Sequence, residues 1–407
     1  MTPPLSRRGK TCAPCKGGEG HEMARGLFLG KTNVKNIIIE NGAIFRPDNE
    51  FHKGTIAVIN GRITNDIPED AERIDAEGMY VIPGLTDIHF HGCMGHDFCE
   101  GTQEALRAIS EYEAMNGITT ICPATMTLPE NELTRIMRAA RDFRRDNPQL
   151  VGINLEGPFI SHSKKGAQNP AYIIPPDTAM LGRLQEESGG LIRIATVAPE
   201  TEGAISFIKE AKSTARISIA HTACDYKTAM EAFEAGASHV THLYNAMNPV
   251  KHREPGPIIA ALESGAMVEL ICDGIHVHPA VVRSTIKAFG ADRVIFISDS
   301  LEATGMPDGE YMLGGLKFIK RGRRATLEDG LTIAGSVANL MECMKRAVLE
   351  MGVRLEDAVR CSAVNPMRAI GLEETYGRIE DGRVANIVIM DKDLSLMNVI
   401  KEGRLLS

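Results

Sequence analysis

Three observations predict an α/β chain folded as a (β/α)8 TIM-type barrel, with a small β-sandwich domain formed from both chain ends. Short apolar runs alternate with amphipathic helical stretches eight times through the middle of the chain, as βα units of a parallel sheet require. Extended, turn-punctuated texture stands before residue 80 and returns after residue 378. Histidines and acids recur where the apolar runs end, which is where such barrels keep their chemistry.

The N-terminal extended segment comes first. Residues 34–40 are followed by Asn41-Gly42, residues 55–59 by Asn60-Gly61, and residues 62–64 resume the pattern. Asn-Gly tolerates the positive φ angles of tight hairpins, so both pairs are expected to turn the chain. At the far end Arg378-Ile379, Asp381-Gly382 and the run 385–390 precede residues 399–404. Two terminal β segments around a long middle imply one sandwich over 31–80 and 371–407, with the barrel inserted at 81–370.

Within the barrel the expected strands are 80–91, 119–123, 150–156, 191–198, 217–221, 239–242, 267–272 and 293–299. Helices are expected between them, among others at 104–116, 130–143, 226–235 and 281–289. The first 30 residues carry charge and glycine but no signal-peptide core, and a disordered leader is expected there, with Met23 as an alternative start. Cys12 and Cys15 form a CxxC near His21, but no second pair follows to complete a zinc knuckle.

Composition narrows the function. A formal net charge of -8 argues against a general nucleic-acid surface. With 43% hydrophobic and 24% charged residues and no apolar run of membrane length, a soluble protein is expected. Nine cysteines, an odd number without framework spacing, fit a reducing cytoplasm.

The strand ends carry the functional signal. Strand one finishes in His89-Phe90-His91, and alternation along a strand sends both imidazoles to one side. Strand three ends in Glu156 before Gly157-Pro158, strand five in His221, strand six in His242 and strand eight in Asp299. A carboxylate at an apolar strand end needs a partner, and six such groups converging on one rim of a barrel point to a divalent metal. His239 is expected on the face opposite His242, and His96, His162, His252 and His278 in loops or behind the ligands.

The order His-x-His, Glu, His, His, Asp resembles the amidohydrolase superfamily. Its surroundings resemble the N-acetylglucosamine-6-phosphate deacetylase family within it, over roughly residues 34–404. The matching blocks include Leu155-Glu156-Gly157-Pro158-Phe159, Lys164-Lys165-Gly166-Ala167, Asp273-Gly274-Ile275-His276 and Ala334-Gly335-Ser336, and the most specific are His242-Leu243-Tyr244-Asn245-Ala246-Met247 with the later Arg253-Glu254-Pro255-Gly256.

The resemblance implies that Glu156, His221 and His242 hold the principal divalent cation, zinc or iron. His89 and His91 would complete a second position bridged by Glu156, giving one or two ions per subunit. Asp299 is implied as general base, taking a proton from the attacking water and returning it to the departing amine. Substrate contacts carried over are Ala167, Gln168, Asn245, Ala246, Arg253, His276, Ile333, Ala334 and Gly335. The forked guanidinium of Arg253 suits the 6-phosphate, and family members supply it across a homodimer. Gln168 departs from the family, whose members commonly carry histidine there. The alternatives are an N-acetylgalactosamine-6-phosphate deacetylase, another hydrolase of carbon–nitrogen bonds, and a catalytically inactive barrel scaffold.

Overall fold

The computed structural model describes residues 35–406, so the expected leader and the Cys12, Cys15 and His21 group lie outside the described residues. Strand Ile37–Phe45 is the spine of an eight-stranded sheet built from both ends of the chain. One of its edges pairs with Phe51–Ile59, which pairs in turn with Arg62–Thr64. The other edge pairs first with Glu72–Asp75 and then with Tyr80–Pro83. Against Tyr80–Pro83 lies Ile387–Met390, followed by Leu396–Lys401 and Arg404–Leu406. Ile37, Ile39, Ile44, Ile56 and Val58 pack with Ile387, Ile389 and Ile400 in one aliphatic core, the β-branched shapes that suit a pleated surface.

Asn60-Gly61 closes a hairpin with φ of 52° and 78°. Asn41-Gly42 does not turn the chain. Asn41 takes φ 63° inside the spine strand, and the register slips between Ile39 and Gly42 as a bulge. The positive φ that Asn-Gly favours is thus spent on kinking the strand, and a Cβ at Gly42 would meet Val81 Cγ2 at 2.6 Å.

The expected first strand over 80–91 is two elements. Tyr80–Pro83 belongs to the terminal sheet, and after Gly84 the chain enters the barrel as β1, Leu85–Asp87. Gly84 stands at the seam because a Cβ there would fall 2.2 Å from Thr119 Oγ1. The remaining barrel strands are β2 Ile118–Ile121, β3 Ile153–Leu155, β4 Ile192–Val197, β5 Arg216–Ile219, β6 His239–Val240, β7 Met267–Ile271 and β8 Val294–Ile297. β1 pairs with β2, and β3 to β8 pair in sequence, all parallel. Backbone bonds complete the ring. Val151 N donates to Ile121 O at 2.9 Å between β2 and the start of β3, and Asp299 N donates to His89 O at 2.9 Å beyond the ends of β8 and β1.

Every residue of β2, β3, β7 and β8 is buried, which explains why apolar residues dominate them and why β8 is an unbroken apolar run. Each strand is followed by a helix on the outside. Glu130–Asp146 shows the logic: Leu133, Ile136, Met137, Ala140 and Phe143 recur at helical spacing and face the barrel, with arginines on the other side. Thr102, Asp177, Asp225 and Asn339 cap helices by accepting from backbone N–H groups two or three residues into the first turn.

Between β8 and its helix Leu340–Leu349 the chain makes an antiparallel sheet of four strands, Gly309–Leu313, Leu316–Arg321, Arg324–Leu327 and Ile333–Gly335, that the sequence reading did not anticipate. Gly314-Gly315, with φ of 54° and 84°, makes its first turn. No helix among the described residues is long and apolar enough to cross a membrane.

Candidate metal centre

The six residues read from the strand ends meet at the C-terminal rim of the barrel, all buried. They form two groups, Glu156 with His221 and His242, and His89 and His91 with Asp299. Glu156 Oε1 lies 3.1 Å from His221 Nε2 and 3.0 Å from His242 Nε2, with His89 Nε2 at 3.4 Å. Its other oxygen, Oε2, is 3.4 Å from His91 Nε2. Asp299 Oδ1 is 3.3 Å from His91 Nε2 and 3.7 Å from His89 Nε2. One carboxylate therefore spans both groups.

The backbone is bent to bring them in. His221, His242 and Asp299 follow their strands with φ of 44°, 31° and 51°, and Tyr244 and Ala246 with 79° and 49°. Non-glycine residues rarely accept this region, and its concentration at one rim marks strain that the surrounding fold imposes.

The donor set fits a divalent cation. Lys164 O, a carbonyl that can only accept, is 2.9 Å from His221 Nδ1, so Nδ1 carries the proton and Nε2 turns a lone pair to the centre. Glu269 Oε2, 2.9 Å from His89 Nδ1, imposes the same tautomer there. The His221 and His242 Nε2 atoms face each other at 3.1 Å, and His89 Nε2 is buried without a hydrogen-bond partner. Lone pairs gathered so closely around carboxylate oxygens call for positive charge, and imidazole with carboxylate suits zinc or iron. The titration tendencies agree. Burial alone would depress the His89 imidazole, yet the charges of Glu156 and Glu269 push it well above 6.5. Burial would raise the Asp299 carboxyl, but the bond with His91 and the charge of His89 hold it below the ordinary value.

Beneath the ligands lies a layer that the sequence reading missed. Glu269, in the middle of β7, bonds His89 with one oxygen and His239 Nε2 with the other at 3.0 Å, and accepts from His242 N at 3.2 Å. Burial opposes its charge, but His89 and His239 bring its pKa down to about 2. His239, expected on the opposite face, belongs to this network, because β6 is only two residues long and the chain turns before His242. A lone acid inside the apolar run Met267 to Ile271 was the available signal. Glu269→Gln is expected to keep the fold and to weaken metal binding by about 10–100-fold, read by chelator competition.

A cavity of about 330 Å³ opens over the centre. Ala167, Gln168, Asn245, Ala246, His276, Ile333 and Ala334 line it together with His91, Glu156, His221, His242 and Asp299. Asp273 Oδ2 holds His276 Nδ1 at 2.8 Å. Met126, Leu313, Leu331 and Thr332 also line it, the last three from the antiparallel insertion. Two carried-over residues stand elsewhere. Gly335 packs behind the rim, where a Cβ would lie 3.0 Å from Asp299 O, and Ser336 N bonds that same carbonyl at 2.8 Å. Arg253 is exposed on a separate surface depression with Lys251 and Asn248, its guanidinium 2.7 Å from His252 Nε2.

Comparison with known proteins places this geometry. Residues 80–406 match the model of the amidohydrolase family. N-acetylglucosamine-6-phosphate deacetylase of Bacillus subtilis is 33% identical over 386 residues, 91% of this chain and 97% of the relative. N-acetylgalactosamine-6-phosphate deacetylase of Escherichia coli O157:H7 is 31% identical, covering 92% of this chain and 98% of its own. Among solved structures, a mutant N-acetyl-D-glucosamine-6-phosphate deacetylase from Mycobacterium smegmatis, in complex with N-acetyl-D-glucosamine-6-phosphate, superposes with a TM-score of 0.86. It is 31% identical and covers 91% of this chain and 99% of that one.

Proposed function

This chain belongs to the amidohydrolase family, and on that premise we propose that it hydrolyses the acetamide of N-acetylglucosamine 6-phosphate to acetate and glucosamine 6-phosphate. The observation that carries the reading is one carboxylate, Glu156, spanning two groups of buried ligands beneath a cavity of about 330 Å³. Pockets of this size take small ligands.

Glu156, His221 and His242 would hold the principal cation, zinc or iron, and His89, His91 and Asp299 would hold a second where two are bound. When bound, the cation supplies Lewis-acid polarisation of the amide carbonyl and lowers the pKa of water. Asp299 is the catalytic base. Ionised and buried at the rim, its carboxylate takes a proton from the attacking water and delivers it to the departing nitrogen, so that water is added across the carbon–nitrogen bond. His276, oriented by Asp273, offers a donor to the acetyl oxygen. Ala167, Gln168, Asn245, Ala246, Ile333 and Ala334 shape the sugar pocket, with Gly335 backing the Asp299 turn.

Arg253 stands outside the cavity of its own chain, and it serves the 6-phosphate of a second copy in a homodimer, where its fork of donors matches the anion. Its exposure fits a residue that works across an interface. The described cysteines are free, most of them buried, in keeping with a cytoplasmic setting.

The test is acetate release from N-acetylglucosamine, N-acetylgalactosamine and their 6-phosphates, with and without added zinc or iron and after chelation. Fastest release from N-acetylglucosamine 6-phosphate, lost on chelation and restored by metal, is the expected result. Preference for the galactosamine epimer would shift the substrate, and no release from any of the four would overturn the reading.

A further inference from the structure

Gln168 lines the cavity, yet its amide is committed elsewhere. Thr127 N, which can only donate, lies 2.7 Å from Gln168 Oε1. This settles which end of the amide is which and turns Nε2 towards the centre. There Nε2 donates to Glu156 Oε2 at 2.8 Å, and its remaining direction meets Met126 Sδ at 3.8 Å. Both donor directions of the amide are taken before any sugar arrives, and the side chain is buried.

The choice of oxygen matters. Oε1 gathers His221 and His242, while Oε2 faces His91. A carboxylate can rotate about its last bond and present either edge to a metal. A donor fixed on Oε2 from behind halts that rotation, with Oε1 towards one ligand group and Oε2 towards the other. Thr127 N, on the loop after β2, anchors the amide from the far side, so backbone, amide and carboxylate form one relay. An imidazole, with one ring nitrogen at each end, cannot accept from Thr127 and offer two hydrogens as this amide does.

We infer that Gln168 is a positioning residue for the metal centre, holding Glu156 in the pose that spans both ligand groups, and not chiefly a contact to the sugar. The inference rests on the metal-dependent reading of the site. Its test measures zinc affinity by chelator competition and metal equivalents per chain for the full-length wild type, Gln168→Leu and Gln168→Glu. Leucine removes both bonds. Glutamate keeps the acceptor for Thr127 N but sets a like charge against Glu156, so it serves as the second probe where leucine fails to fold, as judged by thermal melting.

Both variants are expected to lose about 10–100-fold in zinc affinity, the range for groups that orient metal ligands. At saturating zinc, KM for the amino-sugar phosphate should stay within about twofold while kcat falls. Unchanged zinc affinity with a raised KM would overturn the inference and return Gln168 to the sugar, leaving the deacetylase reading intact. A wild type that binds no stoichiometric metal would overturn both.

Discussion

Asp299→Asn is expected to retain its metal and to lose acetate release by about 10²–10⁴-fold in kcat, the usual worth of a positioned general base. The substitution is a clean one for a structural reason. Asp299 sits at φ 51°, a conformation that asparagine tolerates, so the turn after β8 should survive. The amide keeps an oxygen to face His91, now at 3.3 Å from Oδ1, but cannot take a proton from water. Metal content measured beside turnover separates the roles. Wild-type-like turnover would remove Asp299 from proton transfer, and loss of metal together with activity would make it a ligand first.

Glu156→Ala is expected to have the widest effect, because four imidazoles and the Gln168 amide converge on its two oxygens. One group loses its only carboxylate and the other loses the oxygens that face His89 and His91, so the variant should hold no stoichiometric metal and fall to background hydrolysis, a loss on the order of 10⁴-fold or more. Thermal unfolding offers an independent reading. Zinc at 100–1,000 times its dissociation constant should stabilise the stripped wild type by about 3–4 kcal/mol, seen as a higher Tm, and leave Glu156→Ala where it was. A variant that still responds to zinc would place the metal elsewhere.

The six candidate ligands were legible because each stands at or just beyond the end of an expected strand. In β8, Val294 to Ile297 is buried throughout, and Asp299 arrives two residues later, where the barrel opens. Alternation located His89 and His91 correctly on one side, although only Leu85–Asp87 is regular strand. What stayed hidden has physical causes. Glu269 sits inside a strand, not at its end, and nothing local distinguishes an acid that braces two imidazoles from one that packs against a distant cation. The antiparallel insertion over 309–335 has exposed, mixed faces, so its alternation is weak, although Gly314-Gly315, Gly322 and Gly330 mark its turns. The family resemblance marks Gln168 as a sugar contact, because a resemblance shows which positions line a cavity and not how their hydrogens are spent.

Gly84 has a further effect. Tyr80–Pro83 of the terminal sheet and the first strand of the barrel are separated by this one residue, and His89 follows only five positions later. The small sheet therefore cannot be trimmed away as an ornament. It is the footing on which the first barrel strand is stood, and an enzyme shortened to its barrel would lose the lateral grip that aims His89 and His91, so that a deletion far from the cavity would register first in the placing of these two imidazoles.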